Sequence, residues 1–505
     1  MRAAAILLAS SSILVAPAVA RAATYQVGPD KPYKGLEELA YDLRPGDLVE
    51  VDGDATYPGD IHIRPESSGT ADQPVVIRGI KKNGKRPVIS GGAEWGIVLH
   101  GSHTVFEGFE VTGAASFCVV HKADDVTMRD LVVHDCPDQG ILGTDSESGS
   151  LTIEYSEVYG CGNGLYSHQL YIATDETMYP GSVFRLQSSY IHDGNGGNNV
   201  KTRAERNEIY CNWIENPVYH VLDLIDPDGQ DPELAREDSD VVGNVLIQNN
   251  EWYIARIGGD KGVGTSGRVR FAYNTFVSSP SAGSFFYMQD ALESVGFYDN
   301  VFLAPNGGAP EVFRDTDAFW TQGATTVAGA NNFFGAGLPD SSYLTGSLSG
   351  DPMLTDIPAM NFIPLSGSPL LDKGVDGSGP AGFEVPGAWT APNCVPPPRS
   401  KNEALAAFGR PMNAAPDIGA FELGTTFEPG TGGTGPGEGG ATGAGAGNGA
   451  GANGAGGGDG ADGDMTGSCD CRAVGGSRDA FGGGLALAAA LGLALGRRVH
   501  PRARG

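Results

Sequence analysis

The chain is built from short runs in which apolar and polar residues alternate. In Val105-Phe106-Glu107-Gly108-Phe109-Glu110-Val111, Val126-Thr127-Met128-Arg129-Asp130-Leu131-Val132 and Leu151-Thr152-Ile153-Glu154-Tyr155-Ser156-Glu157-Val158, a period of two is interrupted by a turn and then resumed. The same outline returns around Phe184, Ile209, Val242, Phe271 and Phe297. Aligning Phe109, Asp130, Ser156, Ser189, Asn212, Asn244, Asn274 and Asn300 gives steps of 21, 26, 33, 23, 32, 30 and 26 residues. Irregular steps of this size, each holding a strand, a polar turn and another strand, predict the coils of an all-β, right-handed parallel β-helix. A leucine-rich repeat would need leucine at fixed positions, and a propeller would need longer blades.

A second short strand follows each aligned turn, in residues 117–121, 140–144, 168–173, 199–204, 218–225, 252–257 and 285–288. Successive coils of such a stack lie about 4.8 Å apart, so outward residues of this ladder become neighbours. Tyr171, Lys201, Arg203, His220, Asp223 and Arg256 are therefore expected to share one surface. At its centre stands Asn198-Asn199-Val200-Lys201-Thr202-Arg203-Ala204. Strand parity sends Val200, Thr202 and Ala204 inward and Asn199, Lys201 and Arg203 outward. Parity does not settle His220 and Asp223, because both faces of 218–225 carry apolar residues.

Other patterns divide the chain. Residues 1–23 carry Arg2, an apolar stretch and small residues suited to cleavage, the pattern of a secretory signal peptide. Residues 24–92 read as a cap with the first strands: Leu36, Leu39, Ala40 and Leu43 have helical spacing, and an amphipathic helix over 33–43 would cover the apolar end of the stack. Residues 93–423 form the β-helix domain. Residues 424–468 are mostly Gly, Ala, Thr and Asp and cannot form a core, so they read as a disordered, flexible linker. In 469–505, Cys469-Asp470-Cys471 precedes an apolar run over 481–495, expected as a short hydrophobic helix, and a terminal Arg cluster.

A net charge of −28 argues against nucleic acid or an anionic membrane surface as partner. The membrane is expected to engage only the C-terminal segment, and the protein is expected to be a monomer. Cys136 and Cys161 follow their aligned turns closely and should stack on adjacent coils, as a disulfide or as two buried thiols. Cys118 and Cys211 read as internal and Cys394 as solitary.

The runs Pro45-Gly46-Asp47-Leu48-Val49-Glu50-Val51 and Ser68-Gly69-Thr70-Ala71-Asp72-Gln73-Pro74-Val75-Val76-Ile77-Arg78-Gly79, with the repeats, resemble secreted parallel β-helix proteins of the pectate-lyase-like superfamily. The resemblance spans residues 24–423 and includes Asn361-Phe362-Ile363-Pro364, Ser368-Pro369-Leu370-Leu371-Asp372-Lys373-Gly374 and a closing strand at Pro416-Asp417-Ile418-Gly419-Ala420-Phe421-Glu422. Lys201-Thr202 followed by Asn207 and Asn212 is similar to the Lys-Ser, Asn and Asn spacing of chondroitinase-B-like and alginate lyases. That resemblance implies a Lys base, an Arg one coil later and often Ca²⁺. The chain departs from the pattern at His220-Val221-Leu222-Asp223-Leu224-Ile225-Asp226, where an Arg-His-Gly segment would stand, leaving Arg203 or Arg256 to substitute. The order of Cys, hydrophobic run and Arg cluster at the end resembles the myxobacterial C-terminal sorting signal, which implies export and delivery to the cell surface or release.

Elimination at a uronic acid requires neutralising its carboxylate, removing the adjacent proton and protonating the departing oxygen. Lys201 as base, with like charge from Arg203 and Arg206 beside it, Arg203 or a Ca²⁺ held by Asp223, Asp226 and Asp228 on the carboxylate, and Tyr171 or His168 as donor would meet those needs. Asn199, His220 and Arg256 would bind an acidic polysaccharide; no other cofactor is called for. Two other readings stand beside this one. A hydrolase would use paired carboxylates such as Asp223, Asp226 and Asp193, and a surface adhesin would bind glycan on the same row without reacting.

Overall fold

In the computed structural model, which describes residues 22–225, 238–259, 267–289, 292–314, 326–377, 389–400, 408–412 and 414–427, the alternating runs wind into a parallel β-helix. Successive coils give strands in turn to three parallel sheets, here A, B and C, of 13, 12 and 10 strands among the described residues. Inward positions stack in register: Val49, Ile77, Phe106, Met128, Ile153, Leu186, Ile209, Val241, Phe271 and Phe297 form one fully buried column of sheet A. Each such side chain meets its equivalents above and below, so every coil buries the apolar face of its neighbours.

The corner from sheet A to sheet B repeats one device. Its first residue is left-handed in coil after coil, at Asp130, Tyr155, Ser188, Cys211, Tyr273, Asp299 and Asn331, with glycine at 108 and 243. The next position carries a hydrogen-bonding ladder. Asn212, Asn244, Asn274 and Asn300 each donate Nδ2 to a carbonyl of the previous coil and to the Oδ1 of the following Asn, a row that ends at Asn332. Ser156 and Ser189 continue the ladder toward the N-terminus, where Leu131 donates its backbone N–H to Ser156 Oγ. The aligned member of that coil is therefore Leu131, and Asp130 is the left-handed turn residue before it.

The expected N-terminal helix is a single 3-10 turn, Leu36–Leu39. Glu38 folds back onto the backbone N–H groups of Lys34 and Gly35, which closes so short a turn, and Leu36, Leu39, Ala40 and Leu43 are all buried. Sheet formation already begins with Thr24–Val27 paired to Leu48–Asp52. The expected signal segment and Gly-rich linker, apart from residues 22–23 and 424–427, and the expected hydrophobic tail lie outside the described residues.

The cysteine pairing differs from expectation. Cys118 bonds to Cys136, Cys211 bonds to Cys394, and Cys161 is a buried thiol. Cys136 does occupy the position equivalent to Cys161 one coil earlier, but its partner comes from the start of the sheet C strand beside it, across the corner. The segment 416–422 also forms no strand. It runs with the hairpin Leu354–Asp356/Asn361–Pro364 as a strap over the apolar outer face of sheet B, where Trp213, Val245, Val301 and Phe333 cluster with Phe362, Leu370, Ile418 and Phe421. Gly419 passes so close that a Cβ there would stand 2.8 Å from Val301 Cγ2, and its φ of 99° independently favours glycine.

Candidate functional site

The outer face of sheet C changes character along the stack. One register column reads Val98, Val120, Leu142, then Tyr171, Lys201, Asp223, Arg256, Tyr287 and Arg314. The expected sharing of one surface by Tyr171, Lys201, Asp223 and Arg256 is thus a direct consequence of strand pairing. Lys201 Nζ lies 4.8 Å from the Tyr171 ring centroid, a cation–π contact. Asp223, 1 % exposed, receives Arg256 Nε at 2.6 Å on Oδ1 and Nη2 at 3.1 Å on Oδ2, and Asn198 Nδ2 donates to Oδ2 at 2.9 Å. Burial alone would push this carboxyl up, but Arg256 and then Lys201 outweigh it and hold it below the usual carboxylate range.

Arg203 keeps the outward parity of Lys201 yet is only 2 % exposed, and its Nε donates to the Tyr171 hydroxyl at 3.1 Å. It acts on Tyr171 and is not displayed to solvent. Thr202 faces inward as expected and donates to Asn207 Oδ1 at 2.6 Å. Asn207 and Asn212, the two Asn of the lyase-like spacing, are both internal. Arg206 stands on sheet A, bonded to Glu208, so the like charge expected from it beside Lys201 is not delivered there.

Three assignments are corrected by the corner between sheets B and C. Asn199 precedes the strand Val200–Arg203 and is fully buried; it accepts from Gln169 Nε2 at 3.0 Å and donates to the Glu215 carbonyl at 2.7 Å, so it cannot touch substrate. His168 and His220 also belong to this corner, in the register column His168, Asn198, His220, Tyr253, three residues before the outward column. Each imidazole accepts a backbone N–H at Nδ1, from Asn198 at 2.9 Å and from Tyr253 at 3.3 Å. Burial holds His168 well below its usual pKa and His220 at about 3, so both are neutral. They are parts of the wall and not an exposed donor and binder.

Asp226 and Asp228 lie outside the described residues, and among the described residues no group of three His, Cys, Asp or Glu is placed to hold a metal. Both oxygens of Asp223 are engaged by Arg256, so the described donors do not fit a Ca²⁺ site, and no step is assigned to one.

Sequence reasoning missed Asn198, Tyr253, Tyr287 and Arg314. Arg314 donates to the Tyr253 hydroxyl at 2.6 Å and lies 4.7 Å from the Tyr287 ring centroid. The signal was present: Arg314 stands in Val312-Phe313-Arg314 where Arg256 stands two coils earlier. The column thus gathers Lys201, Arg256 and Arg314, with Arg203 behind it, against the single carboxylate Asp223, in a chain of net charge −28. Tyrosines at 171, 253 and 287 add flat apolar surface among those cations.

No protein-family model and no curated protein matches this chain. Among solved structures, pectate lyase Pel9A is similar with a TM-score of 0.52 at 15% identity, over 79% of this chain and 96% of that one. An alginate lyase from Paenibacillus sp. str. FPU-7 gives 0.42 at 17% identity over 65% and 99%, and a rhamnogalacturonan lyase 0.43 at 14% over 61% and 87%. At these identities the likeness to Pel9A speaks for architecture alone, and it agrees with the three stacked sheets: the chain is a parallel β-helix with the fold of a pectate lyase.

Proposed function

We propose that the sheet C column binds an acidic polysaccharide and cleaves it by β-elimination at a uronic acid. The observation that carries this reading is the row Tyr171, Lys201, Arg256, Tyr287 and Arg314, cations and rings in one register column of a strongly acidic chain. A chain with so much negative charge repels polyanions unless a local strip reverses the field, and a strip with aromatic faces suits the C–H faces of sugar rings.

In the mechanism, Arg256, held by Asp223, meets the uronate carboxylate and stabilises charge developing beside it. The Lys201 amine takes the proton α to that carboxylate, the C–H electrons become the new double bond, and the bond from the β carbon to the glycosidic oxygen breaks. That oxygen takes its proton from the Tyr171 hydroxyl, which Arg203 orients.

Incubating the purified protein with a panel of uronate polymers, with and without Ca²⁺, tests this. Product with an unsaturated end, followed by absorbance of the new conjugated double bond, supports elimination. A new reducing end without unsaturation means a hydrolase, and unchanged polymer that stays bound means an adhesin. Export belongs to the same proposal. The protein acts outside the inner membrane, directed there by residues 1–23 and sorted by the Cys-to-Arg tail, and mass spectrometry showing an intact Arg-rich end on mature protein from its host would overturn the sorting part.

A further inference from the structure

A cavity of about 400 Å³ opens on the outer face of sheet A, away from the sheet C column. That volume lies in the range of small-ligand sites, about 300–1,000 Å³. Its floor is three successive strands, Arg206–Tyr210, Asp238–Val242 and Arg268–Ala272, and its roof is residues 389–393. Sheet register lays charged residues at one end of the floor and apolar ones at the other, since Glu208, Asp240 and Arg270 form one column and Tyr210, Val242 and Ala272 the next outward one.

The roof is fixed. Cys394 is bonded to Cys211, next to Tyr210 on the floor, and a Cβ on Gly243 would meet Pro392 Cγ at 2.6 Å. Trp389 stacks on Tyr298 at 4.1 Å, and its Nε1 donates to the Val375 carbonyl at 3.1 Å. The space below is therefore preformed and does not have to be opened by a ligand.

Charge in the cavity does not balance. Arg270 is bidentate to Asp240, at 2.9 and 2.8 Å, and that pair is neutral. Arg206 shares the single carboxylate of Glu208 with Arg185, which leaves one cation in excess. Arg206 Nη1 is buried and has no hydrogen-bond partner. The Arg206 side chain lines the cavity and keeps 21% of its surface exposed, so a negatively charged oxygen there would meet a guanidinium that has only a shared carboxylate. Apolar surface from Tyr210, Val242 and Trp389 faces the remainder of the space.

We propose that this cavity is a second saccharide site, which takes a single acidic sugar residue with its carboxylate on Arg206 and its C–H face on the Tyr210 and Val242 side. It lies on a different sheet from the elimination site and does not depend on that activity. Binding is read by isothermal titration and by Trp389 emission, with galacturonate, glucuronate and mannuronate as probes and galactose and glucose as neutral counterparts.

The expected result is saturable binding of at least one uronate, weakened tenfold or more by Arg206→Ala, with the neutral sugars little changed by that substitution. Glu208 keeps Arg185 in this variant, so folding is retained. Val242→Phe, which puts a ring into the floor without touching any charge, should weaken binding tenfold or more, with the unliganded melting temperature shifted by only a few degrees. Lys201→Ala should leave this binding unchanged. No binding to the parent protein overturns the proposal. So does binding that Lys201→Ala abolishes while Arg206→Ala and Val242→Phe leave it intact, because the sugar would then sit on sheet C.

Discussion

Replacing Arg256 by Met tests the electrostatics of the sheet C column, because it removes the guanidinium while keeping most of the stem that packs beneath it. Asp223 would then be a carboxylate 1 % exposed with its two charge-assisted hydrogen bonds gone and only Asn198 and the neighbouring Lys201 to support it. Removing one partner of a buried pair costs about 3–5 kcal/mol. The part due to the orphaned charge has a ceiling, since the carboxyl escapes by taking a proton. From an unfolded pKa near 3.9, that ceiling is about 4 kcal/mol at pH 7 and about 1.5 kcal/mol at pH 5. In the parent protein the folded Asp223 pKa is depressed, so its contribution is complete at both pH values and is lost only in strong acid. In the variant the folded pKa is raised, so the penalty grows as pH rises from 4 to 7. Urea unfolding at pH 5 and pH 7 should therefore show Arg256→Met less stable at both, with the deficit larger by about 2 kcal/mol at pH 7. Adding Asp223→Asn should remove the pH dependence and restore most of the loss. Equal deficits at the two pH values, or a double variant no better than the single one, would refute the buried ion pair as drawn.

Lys201→Ala should abolish elimination with little change in melting temperature, whereas Thr202→Arg, which buries a charge in the core, should unfold the coil; circular dichroism melts beside the activity assay separate the two. Glu176 is 3 % exposed, and burial, then Glu205 and Asp175, push its carboxyl up to about 8. Its folded pKa lies above the unfolded value, so the parent loses stability as pH rises from about 4.5 to 8, by at most about 5 kcal/mol, and Glu176→Gln should flatten that fall in melts run from pH 5 to 9. Cys394→Ser opens a loop of sequence separation 183, and chain entropy puts the destabilisation at up to about 5 kcal/mol, measured by denaturant unfolding of the oxidised proteins.

The sheet C column was legible because two periods fix it: alternation along a strand and the repeat from coil to coil. Tyr171, Lys201, Asp223 and Arg256 follow once the strands are aligned. At corners the first period fails. Asn199 has the parity of Lys201 but sits before the strand begins, where its amide answers the Glu215 carbonyl, and His168 and His220 occupy the equivalent bend. Aligning by polarity misplaced Asp130 by one residue, since the ladder position in that coil is the apolar Leu131. The Cys211–Cys394 bond joins a turn to a strap 183 residues later, a distance over which no local pattern carries information.

That bond also sets how the molecule bears load. Tension applied beyond residue 427 travels back along the strap, which can peel from sheet B only as far as Cys394. There the covalent link passes the pull to Cys211 in the middle of the stack, and the coils between these two cysteines lie off the line of force. The solenoid is therefore harnessed at its waist, and a pull from the C-terminal side leaves the coils carrying Asp223, Arg256 and Arg314 slack.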